Sequence, residues 1–348
     1  AATKLIPEMQ NLQRELQTAL HAVRVASTVC RSVQSRITSE SLAKKDNSPV
    51  TVADFASQAI ICRILQQAFP DDPVIGEEGA AELKTAEGSR FLQEVVSECA
   101  AAGVRGTAEE VCQWIDRGNL QEFRPRFWTL DPIDGTKGFL RKEQYAVSLA
   151  LVIDGNIQLG VLGCPNMPFQ FDESVISLRH TPGPVGVIAW ATRGHGSWIQ
   201  GIDVPDSTVM RIRASGNDST KDFRVCESVE SGHSSHDWSG MISKDLGVHR
   251  PPVRMDSQCK YLAVARGEAD VYLRLPTKKG YQEKIWDHAG GILIVEEAGG
   301  RVTDIHGRAP DLRSGAVLAA NEGMVVTNGK AHDQVLASIS RSAPQNPA

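Results

Sequence analysis

Two apolar runs, Ala146–Ile153 and Ile157–Leu162, stand on either side of Asp154-Gly155-Asn156. Runs of this length rich in Val, Ile and Leu suit strands, and Asp-Gly between them supplies the positive φ angles of a tight hairpin. Antiparallel pairing is therefore expected at the middle of the chain. Phe127-Trp128-Thr129-Leu130 reads as a further short strand, and Val185 to Ala191 as another after a punctuated loop at residues 172 to 186.

Helical spacing surrounds these strands. Met9, Leu12, Leu16, Leu20 and Val23 recur at three- and four-residue steps, as do Ala56, Ile60, Ile61, Ile64, Leu65 and Ala68. Each set forms one apolar stripe. Between them a polar break, Lys44 to Pro49, leads into Pro49-Val50-Thr51-Val52-Ala53-Asp54, so Asp54 is expected where a strand or loop hands over to a helix. Thr107-Ala108-Glu109-Glu110 fits a capping box ahead of Val111, Trp114 and Ile115, and residues 80 to 120 read as helical surface decoration. Beyond residue 216 the order is strand at Val225-Cys226, a Ser/His/Gly-rich turn, a helix, strand Asp270 to Leu275, and a helix from Asp287 to Ala298 ended by Gly299-Gly300. The expected class is α/β, with an α+β first part over 1–216 and an α/β second part over 217–348.

Composition narrows the function. The 348 residues are 41% hydrophobic and 23% charged, and no apolar run nears the ~20 residues that cross a bilayer, so no membrane partner is expected. A net charge of -5 gives no general basic field for a nucleic-acid backbone, which leaves small phosphorylated ligands held at a local site. Seven scattered cysteines without a CxxC pair argue against structural zinc or a disulfide framework and suit a reducing compartment. The expected location is intracellular: chloroplast or mitochondrion if Ala1 is a processed terminus, otherwise cytoplasmic.

Acidic residues concentrate at three places. Asp131-Pro132-Ile133-Asp134-Gly135-Thr136 packs two carboxylates, a rigid Pro and a Gly after an apolar strand; Gly76-Glu77-Glu78 follows Val74-Ile75; Asp287 opens Asp287-His288-Ala289-Gly290. Taken singly, these read as a turn, a solvated pair and a helix-terminal acid. If Glu77, Asp131, Asp134 and Asp287 meet, carboxylates about 4 Å apart repel by ~4 kcal/mol at an effective dielectric of 20, and bound cations remove that penalty. An all-oxygen set suits Mg²⁺, which keeps waters and phosphate oxygens in its shell. Two such ions orient water and neutralise a phosphoryl group, so the chemistry suggested is phosphate-ester hydrolysis.

In this order, Gly76-Glu77-Glu78, Asp131 through Thr136 and Trp286 through Gly290 resemble the signatures of the magnesium-dependent, lithium-sensitive inositol monophosphatase superfamily. Asp131 through Arg141, Asp256 through Tyr261, Asp270 through Leu275 and Glu283 through His288 are similar to its 3'(2'),5'-bisphosphate nucleotidase branch in yeast and plants. The resemblance spans about residues 45 to 325 and implies a layered α-β-α-β-α sandwich. It implies two or three Mg²⁺ held by Glu77, Asp131, Asp134, Asp287 and the carbonyl of Ile133, with Asp54 and Thr136 as the catalytic pair. A Thr hydroxyl that donates to Asp54 and accepts from water forms a short proton relay.

The second part of the chain carries the expected substrate contacts: His233, Ser257, Lys260 and Arg274, with Thr136 also touching substrate. In Asp270 to Leu275 the strand period sets Val271, Leu273 and Leu275 on one face and Arg274 on the other, free to grip a phosphate with its guanidinium fork. Lys260 adds a second positive charge, and His233 a donor or a flat surface for a base. The favoured reaction is removal of the 3'-phosphate of adenosine 3',5'-bisphosphate, with 3'-phosphoadenylyl sulfate as a second substrate, by a monomer or homodimer. The alternatives are an inositol polyphosphate 1-phosphatase acting on inositol 1,4-bisphosphate and a non-catalytic bisphosphate-nucleotide sensor. Disulfide control through Cys112 or Cys164 is a weaker reading, and Arg193-Gly194-His195-Gly196 is read as a plain turn.

Overall fold

The computed structural model describes residues 12–38, 48–86, 88–169, 185–203, 209–230, 232, 234–278 and 280–343. Its first sheet contains β1 (Val74–Gly76), β2 (Arg126–Asp134), β3 (Ala146–Ile153), β4 (Asn156–Pro168), β5 (Val185–Thr192), β6 (Ser197–Gly201) and β7 (Met210–Ile212), side by side in chain order. Only β1 and β2 run parallel; the other neighbours are antiparallel. The expected hairpin joins β3 to β4 with Ile153 opposite Asn156, and Asp154 and Gly155 take φ angles of 51° and 76°. The second sheet runs β11 (Arg301–Thr303), β12 (Met324–Thr327), β10 (Val271–Arg274), β8 (Val225–Glu227), β9 (Val253–Arg254).

Helices fill the spaces these sheets leave. Helices α1 (Gln13–Ser35) and α2 (Ser48–Ala68) cover one face of the first sheet, and α3 (Ser89–Ala101) and α4 (Ala108–Asp116) pack outside α2. A short α5 (Thr136–Leu140) follows β2, and α6 (His236–Asp245) lies ahead of α7 (Cys259–Ala265). Helix α8 (Ala289–Glu297) lies between the sheets with α7, while α6 and α9 (His332–Ser342) cover the outer face of the second sheet. The expected α-β-α-β-α layering is thus observed.

Residues Ala289 to Val295 of α8 are all buried, as a helix between two sheets must be if it is apolar all round. Its close approach depends on missing side chains: a Cβ on Gly160 of β4 would stand 2.7 Å from the Gly290 carbonyl oxygen. That contact brings the loop before α8, and with it Asp287, against the ends of the first sheet.

Three expectations change. The second helix begins at Ser48, so Asp54 lies inside it rather than at a handover. Pro49 reads as a breaker in sequence, yet at a helix's first turn its missing N–H removes nothing, because those donors have no helical partner. The 80–120 region is more than decoration: its capping box is present, with the Thr107 N–H donating to Glu110 at 2.7 Å, but Val95, Cys99, Val111, Trp114 and Ile115 are buried. Asp287 does not open the helix; it ends a 3-10 turn, Ile285–Asp287, and His288 intervenes before α8. All seven cysteines are free and buried, and burial pushes the thiols of Cys62, Cys99 and Cys226 up to about 12.

Candidate active site

Strand β2 does not end before the Asp-Pro-Ile-Asp motif but runs through it to Asp134. In a regular strand residues three apart point to opposite faces, which would separate Asp131 from Asp134. Pairing with β3 is regular down to Asp131 opposite Ser148 and resumes, shifted, at Asp134 opposite Ala146. Pro132 lacks the N–H that ladder pairing would use at this point, and its carbonyl accepts instead from the Ser57 hydroxyl at 3.0 Å. Both aspartates therefore reach one cleft. Gly135 then turns the chain at φ 89° into α5; a Cβ there would meet the Cβ of Ser257 at 2.9 Å. Ser257 itself holds a φ of 66°.

Glu77 and Glu78 follow β1 on a segment clamped by Gln58 of α2. The Gln58 amide donates to the carbonyls of Glu78 at 2.5 Å and Ile115 at 3.0 Å, and its oxygen accepts from the Glu78 N–H at 3.1 Å. Gln258 holds the opposite side. Its N–H donates to Asp134 Oδ2 at 2.5 Å and its side chain donates to the Trp286 carbonyl at 2.9 Å. The side-chain oxygen accepts from Gly291 N–H at 3.1 Å and from Ser148 at 3.2 Å. One buried residue, through its backbone N–H and its side-chain amide, thus links the segments bearing Asp134 and Asp287.

The result is a cleft of about 660 Å³ bordered by Asp54, Glu77, Asp131, Ile133, Asp134, Thr136, Ser257, Lys260, Arg274 and Asp287. Every sequence-derived site residue among the described ones meets there; His233 lies outside the described residues. The acids are costly to ionise together. Burial, then Glu78 and Asp134, pushes Glu77 up to about 7, against a hydrogen bond with Asp131 that lowers it. Burial and Asp134 push Asp287 up to about 7. Asp131 is raised well above the usual range by burial, Glu77, Asp134, Asp287 and Asp54, and Asp54 by burial, Glu78 and Glu77.

Asp131 Oδ1 is buried without a hydrogen-bond partner. A set of clustered carboxylates with an orphaned oxygen and no nitrogen or sulfur donor fits a hard divalent cation such as Mg²⁺. Glu283, Asp287 and His288 also approach one another within 4.8 Å. Glu283 and His288 have a different use. Glu283 takes Arg274 at 3.0 Å and His288 at 3.1 Å, and these outweigh its burial to bring its carboxyl down to about 2. His288 is in turn bonded to the Tyr261 hydroxyl at 2.8 Å.

This pairing corrects the reading of Arg274 as free. Its guanidinium borders the cleft and lies 3.8 Å from Asp287 Oδ2, but one edge is held by Glu283, because a buried guanidinium without an anion would be costly. Lys260 is buried as well, donating to the carbonyls of Ser257 at 2.8 Å and Met255 at 3.1 Å, and burial lowers its pKa. Sequence reasoning assigned no role to Gln58, Gln258 or Glu283. Gln258 and Glu283 lie within strings that carry the resemblance, and Gln58 one helical turn after Asp54.

The sequence profile of the inositol monophosphatase family matches residues 11–344. A 3'(2'),5'-bisphosphate nucleotidase of Schizosaccharomyces pombe is 41% identical over 347 residues, covering 96% of this chain and 97% of the relative. One from Oryza sativa is 38% identical over 343 residues, covering 93% of each. Among solved structures, the inositol monophosphatase of Anabaena superposes with a TM-score of 0.58 at 20% identity, covering 96% of this chain and 98% of that one. CysQ of Bacteroides thetaiotaomicron, described as a bacterial member of the same family, gives 0.59 at 21% identity over 91% and 98%. With the profile running almost end to end and relatives above a third identical along its length, this chain belongs to the inositol monophosphatase family.

Proposed function

We propose that the chain is a 3'(2'),5'-bisphosphate nucleotidase. It hydrolyses the 3'-phosphate of adenosine 3',5'-bisphosphate to AMP and phosphate, and converts 3'-phosphoadenylyl sulfate to adenylyl sulfate in the same way. The observation that carries this reading is the meeting of an acid cage with Lys260 and Arg274 in one cleft, in a chain similar over its length to enzymes of that name.

Members of this family are generally metal-dependent, typically on Mg²⁺. Here Glu77, Asp131, Asp134, Asp287 and the Ile133 carbonyl would hold two or three ions. Bound there, Mg²⁺ supplies charge neutralisation for the phosphoryl oxygens and lowers the pKa of water. Thr136 accepts a hydrogen bond from the attacking water and passes its own proton towards Asp54. Burial raises the basicity of Asp54, which suits it to take that proton. Lys260 and the edge of Arg274 not held by Glu283 bind the second phosphate, with Ser257 beside them. In this scheme residues 1–216 carry most of the cage and 217–348 grip the nucleotide, with Asp287 reaching back from the second part to the cage.

Phosphate release from adenosine 3',5'-bisphosphate and from inositol 1,4-bisphosphate, each at limiting concentration and fixed Mg²⁺, tests the substrate. The nucleotide is expected to turn over with the higher kcat/KM. A strong inositol preference overturns the nucleotide reading, and binding of nucleotide without turnover makes the protein a sensor.

A further inference from the structure

Tyr281 is anomalous in its surroundings. Four large hydrophobic side chains among the described residues are exposed, and only Tyr281, at 49%, borders the cleft. The other two tyrosines of that cleft, Tyr261 and Tyr272, are buried at 1% and 2% and offer no open ring face. The remaining lining is dominated by carboxylates, hydroxyls and cations. An aromatic ring left open at the rim of so polar a cleft offers a ligand a flat face that the rest of the lining lacks.

The ring is carried on a turn with fixed ends. Leu275, next to β10, donates its N–H to the Ser234 hydroxyl at 3.0 Å, and the Thr277 hydroxyl donates to the Gly232 carbonyl at 3.1 Å. On the other side Glu283 is locked to Arg274 and His288, and its carbonyl accepts from Leu318 N–H at 2.8 Å. The Tyr281 side chain lies within the fields of Glu283, Arg274 and Asp287. Tyr281 therefore projects beside the guanidinium assigned to the second phosphate.

We infer that Tyr281 is a specificity-determining residue, its ring forming the platform on which the aromatic base of the substrate stacks. This rests on the nucleotidase reading and deepens it. The cage and the two cations recognise two phosphates on a small polyol, a description that a sugar bisphosphate and an inositol bisphosphate share. A base has a π-face and an inositol ring does not, so stacking on Tyr281 separates the two.

The test uses the full chain at saturating Mg²⁺ with adenosine 3',5'-bisphosphate and with ribose 3,5-bisphosphate, which keeps the sugar and both phosphates but has no base. Tyr281→Ala is expected to raise KM for the nucleotide about tenfold, the lower part of what one stacked base contributes, with kcat changed less than about twofold. Tyr281→Phe and Tyr281→Trp restore the wild-type KM. For ribose 3,5-bisphosphate the KM is already high in the wild type and moves little in any variant. An unchanged nucleotide KM in Tyr281→Ala, or an equal rise for both substrates, overturns the inference while leaving the nucleotidase reading intact. If the wild type releases no phosphate from the nucleotide, the reading itself falls and the inference with it.

Discussion

Asp131→Asn is expected to lower kcat/KM about 10²- to 10³-fold while making the metal-free protein more stable. The first effect follows from the cage: Asp131 is fully buried, its Oδ1 has no protein partner, and the charges that act on it most, Glu77, Asp134, Asp287 and Asp54, are all negative. Loss of a group that neutralises developing phosphoryl charge in a dry site removes on the order of 3–4 kcal/mol of transition-state stabilisation. The second effect follows from linkage. Burial and the neighbouring acids raise the carboxyl well above its unfolded value, so the folded metal-free state binds a proton that the unfolded chain has released. Such a group destabilises the fold progressively as pH climbs above the ordinary carboxylate range. Asparagine carries no such penalty, and a gain of about 1–2 kcal/mol in metal-free stability at neutral pH is expected. Thermal unfolding with and without Mg²⁺ checks both: the wild type gains Tm with the ion, and the variant starts higher and gains less. A metal-free Tm below that of the wild type, with Mg²⁺ stabilisation retained, contradicts the assignment.

Gly135→Ala is the second large effect. The backbone there is left-handed, which costs an L-residue about 1–2 kcal/mol, and the new Cβ would sit 2.9 Å from Ser257 Cβ and 3.3 Å from Ser257 N. Neither neighbour yields easily. Ser257 is itself left-handed, and the Gln258 N–H that follows it holds Asp134. Relief must come from moving Gly135, which shifts Asp134 on one side and Thr136 on the other. A displacement near 1 Å between reacting groups costs about 10²-fold in rate. The expected outcome is a kcat at least about 100-fold down with a far-ultraviolet circular dichroism spectrum like that of the wild type. Near-normal turnover would show that the turn tolerates a side chain and that Thr136 lies outside the chemistry.

Much of the fold was legible because its signals are local. Asp154-Gly155 dictates a hairpin wherever it lies, and Thr107 with Glu110 caps a helix by short-range hydrogen bonds alone. The acidic motifs were legible because like charges in three apolar contexts require a common explanation. What escaped was set by distant partners. A strand period of two would part Asp131 from Asp134; the shifted pairing with β3 unites them, and Pro132 breaks the ladder there without fixing how far the register shifts. The same period correctly turned Arg274 away from its apolar neighbours but could not show Glu283 beside it. Gln58 and Gln258 are residues usually found at surfaces, and only the structure reveals that each satisfies several buried backbone groups. Pro49 misled because the same residue that stops a helix interior is welcome in its first turn.

In the proposed reaction the acid cage directs hydrolysis to one particular phosphate of a two-phosphate nucleotide. Chromatographic identification of the product formed from adenosine 3',5'-bisphosphate in Mg²⁺ addresses it most directly. The expected products are adenosine 5'-monophosphate and one equivalent of inorganic phosphate; adenosine 3'-monophosphate, or no phosphate released, overturns the assignment.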